Sequence, residues 1–135
     1  MAKKVFVSYD HSEDVHYKDL LRAWDANTDF DFEFDLRSPN VAIDSSDASV
    51  VQGALTKKMK ESDYILVIVG EKSHTSKWMK WEINRAQEGD TKLKFAAVRI
   101  GTSNVYPASL PNYTAITDGF TLKGIEDILN RAKNN

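Results

Sequence analysis

Tyr64-Ile65-Leu66-Val67-Ile68-Val69 is the longest apolar run in the chain, and its reading decides the fold. Successive side chains of a strand point to opposite faces, so an uninterrupted apolar run has both faces covered. That is the situation of a central strand in a parallel α/β sheet. Lys4–Tyr9, with Val5, Phe6 and Val7, and Phe95–Ile100, with Ala96, Ala97 and Val98, repeat the pattern. Phe30–Leu36 differs: Phe30, Phe32, Phe34 and Leu36 alternate with Asp31, Glu33 and Asp35, the period of a half-exposed strand near a sheet edge.

Between these strands the spacing predicts helices. The first starts at Ser12 or Glu13 and presents Val15, Leu20, Leu21 and Trp24. The second is capped by Asp47 and carries Ala48, Val51, Leu55 and Met59 on one stripe. A third runs from Thr75 to Glu88 and stops at Gly89, and a fourth runs from Leu122 to Ala132 with Leu122, Ile125, Ile128 and Leu129 inward. Gly101–Pro111, with Pro107 inside it, reads as a loop, followed by a short fifth strand at Tyr113–Ile116. Alternating strands and helices under right-handed crossovers give a three-layer, flavodoxin-like α/β fold. Its parallel five-stranded sheet has the order 2-1-3-4-5. The 135 residues read as one domain over 1–135.

Composition removes several chemistries. There is no cysteine, so disulfides, thiolate metal sites and cysteine nucleophiles are excluded. Three scattered histidines do not make a metal cluster, and no metal is expected. Eighteen Lys and Arg against 20 Asp and Glu leave a net charge of −2, which disfavours binding to nucleic acid. The first apolar run, Val5–Val7, is far too short for a secretory signal, and the longest falls well below the roughly 20 residues of a membrane span. The expectation is a cytoplasmic protein without a membrane partner.

In this architecture ligands sit above the carboxyl ends of the strands. Four stretches gather there: Ser8-Tyr9-Asp10-His11, Arg37–Ser46 with Ser45 inside it, Gly70–Ser76, and Gly101 onward. No G-x-G-x-x-G or P-loop motif is present, since Gly70-Glu71-Lys72-Ser73 lacks the upstream glycine and the contiguous G-K-S. A phosphorelay receiver would end its third strand on Asp; here the residues are Ile68-Val69-Gly70-Glu71. On the third helix, Met79, Ile83 and Ala86 share the core face, and Trp78 and Glu82 stack one turn apart on its flank. A carboxyl beside an indole at the core margin suits a functional acid, or alternatively an ion pair with Lys or Arg. Trp81 points the other way and is expected to be exposed, as a self-association contact or under a neighbouring loop. His74 either approaches substrate or lies in an exposed loop, His16 reads as a surface residue, and Tyr113 reads as packing. The acidic run Asp25, Asp29, Asp31, Glu33 and Asp35 reads as a solvated strand face.

At these residues a resemblance becomes specific. Val5-Phe6-Val7-Ser8-Tyr9-Asp10 resembles the first box of TIR domains. Ser76-Lys77-Trp78-Met79-Lys80-Trp81-Glu82 resembles the TIR catalytic helix, in which Ser-x-Trp precedes a glutamate. The stretch from Ile65 to His74 resembles the third strand and following loop of the TIR-like proteins of bacterial Thoeris anti-phage systems. The likeness covers roughly Lys3 to Ala97.

The resemblance implies cleavage of the nicotinamide–ribose bond of NAD+, which is a substrate rather than a cofactor, and a cyclic ADP-ribose-type or related product. That product would activate a separate effector protein. Glu82 matches the catalytic glutamate and Trp78 the neighbouring tryptophan, while Ser8, Tyr9, Asp10, His11, His74 and Ser45 fall in the substrate-binding loops. Ser38-Pro39-Asn40 departs from the Pro-Gly of signalling TIR adaptors, which bears against adaptor-style docking more than against catalysis. A single carboxyl suffices for this chemistry. Ordinary glycosidases use two because their leaving oxygen needs a proton, whereas nicotinamide leaves a pyridinium cation as a neutral base. A catalytically silent TIR-like assembly module is the alternative.

Overall fold

The computed structural model describes residues 3–10, 15–25, 32–35 and 45–134. His11, the Ser12 or Glu13 helix start, Asp29, Phe30, Asp31, Leu36 and residues 37–44 of the Arg37–Ser46 connection lie outside the described residues, as do the side chains of Val15, His16 and Asp25. The elements are β1 (Lys3–Ser8), α1 (Val15–Asp25), β2 (Phe32–Asp35), α2 (Ala48–Lys60) and β3 (Tyr64–Val69). They are followed by α3 (Lys77–Ala86), β4 (Lys94–Arg99), β5 (Ala115–Asp118) and α4 (Leu122–Arg131).

The strands form one sheet in the order β2-β1-β3-β4-β5, and each neighbouring pair is parallel. The flavodoxin-like expectation is therefore met. β3 is buried at every position, as its unbroken apolar run requires. Its Tyr64, Leu66 and Ile68 enter one core with Leu21 of α1 and Ile125, Ile128 and Leu129 of α4. Ile65, Val67 and Val69 enter a second core with Leu55 and Met59 of α2 and Met79, Ile83 and Ala86 of α3. β2 lies at the sheet edge with Phe32 and Phe34 buried and Glu33 exposed, as its alternation indicates.

Several boundaries differ from the sequence reading. Asp47 precedes α2 but makes no side-chain cap bond. Gly89 does not end α3, which closes at Ala86. The Thr91 hydroxyl donates to the Arg85 carbonyl at 2.8 Å and the Leu93 amide to the Ala86 carbonyl at 3.0 Å. Lys92 takes the left-handed conformation in that turn, with φ of 44°. The fifth strand starts two positions late, at Ala115 rather than Tyr113. No helix crosses between β4 and β5; Tyr106, Leu110 and Tyr113 of that connection pack on the second core instead.

Candidate active site

Ser8 is the last residue of β1 and lies level with Val67 of β3. β1 and β3 run from here to opposite sides of the sheet, so their carboxyl ends form the topological switch point where such folds bind ligands. Strand alternation assigns the neighbours of Ser8 to different layers. Phe6 joins the second core, whereas Val5, Val7 and Tyr9 join the first. Ser8 shares the side of Phe6, the side on which α3 packs, and its hydroxyl donates to Glu82 Oε1 at 2.7 Å.

The local structure before α3 sets where Glu82 stands. The Ser73 hydroxyl accepts from the Gly70 amide at 2.8 Å and donates to the Ile68 carbonyl at 3.0 Å, tying off the end of β3. A 3₁₀ turn, Ser73–Thr75, follows, and this is why α3 starts later than Thr75. Ser76 then caps α3: its hydroxyl accepts from the Met79 amide at 3.2 Å, satisfying an amide that the helix leaves open. In the sequence Ser73 stands out only as part of a failed phosphate-loop match; its role in tying off β3 is visible only in the structure.

Glu82 lies deeper than the flank position read from the sequence. It is 2 % exposed and flanked along the helix by buried Met79, Ile83 and Ala86. Burial pushes its carboxyl up from an ordinary 4.5 to about 8, and the Ser8 hydrogen bond offsets part of that rise. Its partner is a hydroxyl; among the described residues no Lys or Arg forms an ion pair with it. Burial thus favours the neutral form of this carboxyl, and a nearby cation would favour its ionised form.

The other sequence candidates distribute around this pair. Trp78 is half-buried, its ring edge-to-face with Trp81 at 5.8 Å, and both rings pack on the second core. Trp81 is thus half-buried rather than exposed as expected from the helical wheel; Tyr106, Leu110 and Tyr113 of the β4–β5 connection pack on the same core. Tyr113 packs as read, edge-to-face with Phe95 at 6.2 Å. Tyr9, 5 % exposed, belongs to the first core, across the sheet from Glu82. Asp10 is half-buried. His74 is exposed and lines a cleft of about 150 Å³ with Ser73, Ser76, Lys80 and Pro107. Ser45 stands at the entrance to α2, its carbonyl accepting from the Ala48 amide at 3.2 Å. Among the described residues no helix is long and apolar enough to cross a membrane.

Comparison with known proteins bears on this arrangement. No curated protein matches the sequence. Among solved structures, the crystal structure of a prokaryotic SEFIR domain is similar at 16 % identity and a TM-score of 0.49, over 96 % of this chain and 94 % of that one. The family model described as "Thoeris protein ThsB, TIR-like domain" matches residues 6–104, a span that includes Ser8, the Ser73 turn, the Ser76 cap and Glu82. The chain belongs to the TIR-like domain family of the Thoeris protein ThsB.

Proposed function

We propose that this domain cleaves NAD+ between nicotinamide and ribose to make a cyclic ADP-ribose-type or related signal in Thoeris anti-phage defence. The observation that carries the proposal is the Glu82 carboxyl, held by Ser8 at the switch point of the sheet. In the reaction the C1′–N bond breaks and its electron pair passes to the ring nitrogen, so the pyridinium leaves as neutral nicotinamide. Positive charge then develops on the ribose, and an ionised Glu82 stabilises it. Capture of that cation by a nucleophilic atom of the same molecule closes a ring, with loss of any proton that atom carried. Capture by water gives ADP-ribose and a released proton. Trp78, one helical turn before Glu82, and Asp10, His11, His74 and Ser45 are the proposed substrate contacts. Self-association and a separate effector activated by the product complete the proposal.

The near-complete burial of Glu82 favours a second reading, a catalytically silent assembly module. Incubation of the pure protein with NAD+, with products resolved by mass, separates the two. Catalysis predicts nicotinamide release that falls at least 100-fold in both Glu82→Ala and Glu82→Gln, the range for loss of a major transition-state electrostatic contact. Undiminished release from Glu82→Ala removes Glu82 from the mechanism. Absence of turnover even with the phage trigger supports the silent module.

A further inference from the structure

We propose that Ser8 is a positioning residue: its hydroxyl orients Glu82 and holds the ionised form of that carboxyl, rather than contacting substrate. The proposal rests on the catalytic reading of Glu82 for its consequence, but the pairing itself can be tested without turnover. Ser8 is 0 % exposed, at the end of β1 in register with Val67 of β3, and its hydroxyl is already engaged by Glu82. The 2.7 Å bond, in which Ser8 Oγ donates to Glu82 Oε1, has the normal length of a hydroxyl hydrogen bond, and such a bond strengthens when the acceptor carries a full charge. It engages one of the two carboxyl oxygens, Oε1, and leaves Oε2 outside that bond.

Among the described residues no other side chain hydrogen-bonds the Glu82 carboxyl. On β1, Lys3 and Lys4 are exposed at the opposite end of the strand. In the connection from β3, Glu71, Lys72 and His74 are exposed, as are Lys77 and Lys80 on α3. Arg85 is committed to Asp90 and Glu88. Asp10 is half-buried beyond the end of β1. The position of the Glu82 proton reflects burial and the Ser8 hydroxyl. Losing a hydrogen bond to a charged acceptor moves a carboxyl by about one to two pH units.

The decisive measurement is a carbon-detected NMR titration of the glutamate side-chain carboxyls, with Glu82→Gln identifying the resonance. Ser8→Ala is expected to raise the Glu82 midpoint by about one to two pH units, and Ser8→Thr to return it toward wild type. An unchanged midpoint in Ser8→Ala overturns the proposal. Kinetics gives a second readout: kcat/KM for nicotinamide release should show the same alkaline shift, with a fall of roughly 10- to 100-fold at pH 7 that narrows at higher pH. A raised KM with an unmoved pH profile instead assigns Ser8 to substrate contact and also overturns the proposal. A shifted NMR midpoint in a protein that releases no nicotinamide even with the phage trigger refutes the NAD+ reading while upholding the Ser8–Glu82 coupling.

Discussion

Burying the Glu82 carboxyl makes folding itself depend on pH. Its pKa is about 8 in the folded protein against 4.5 for an ordinary glutamate. Between those values the folded state binds more protons than the unfolded chain, so unfolding becomes easier as pH rises. The contribution to stability is fully present below about pH 4.5 and is lost as pH climbs through 8. Within that window the slope approaches ~1.4 kcal/mol per pH unit. Urea denaturation of wild type should therefore show a midpoint that falls between pH 6 and pH 8, relative to a Glu82→Gln protein that has no proton to lose there. Equal pH dependence in the two proteins would contradict a buried, proton-binding Glu82. The glutamate itself was legible from its place one turn after Trp78. Its depth was not, because a helical wheel gives direction without saying how closely the next layer approaches.

At the scale of elements, α3 carries the site and two serines decide where it begins. Replacing Ser76 with alanine removes the cap on the Met79 amide and is expected to cost about 1 kcal/mol. Ser73→Ala leaves the buried Gly70 amide and Ile68 carbonyl without their shared partner, at a cost of about 1–3 kcal/mol. Denaturant titration measures both, and a loss for Ser73→Ala smaller than that for Ser76→Ala would show that the part-buried cap matters more than the buried tie. The helix was readable from Met79, Ile83 and Ala86, but its ends were not. Gly89 carried the usual stop signal, yet the last carbonyls of α3 are met by Thr91 and Leu93, and the left-handed turn falls on Lys92. Which residue closes a helix depends on where the returning strand docks, and β4 docks close behind.

For the whole molecule, the strength of the fold lies in β3, which feeds two cores at once. Leu66→Ala, at a fully buried position, should cost about 2–5 kcal/mol through lost burial and the cavity left behind. By contrast, Asp118→Asn weakens a bidentate pair with Arg99 on the exposed ends of β4 and β5, and should cost no more than about 1 kcal/mol. Thermal or urea unfolding of the two variants orders these contributions, and comparable losses would contradict the central place of β3. The sequence alone determined the layered parallel architecture and the order of its strands, because burial on both faces of a strand is written into consecutive residues and crossover handedness leaves few arrangements. It also determined which helix carries the acid. Only the tertiary structure decided that Glu82 meets Ser8, 74 residues away. That contact depends on the register of β1 against β3 and on the roll of α3 over the sheet, both set by the packing of distant side chains rather than by any local pattern. The same packing set Trp81 against the second core and buried the carboxyl, the step that raises the pKa of an ordinary glutamate to about 8.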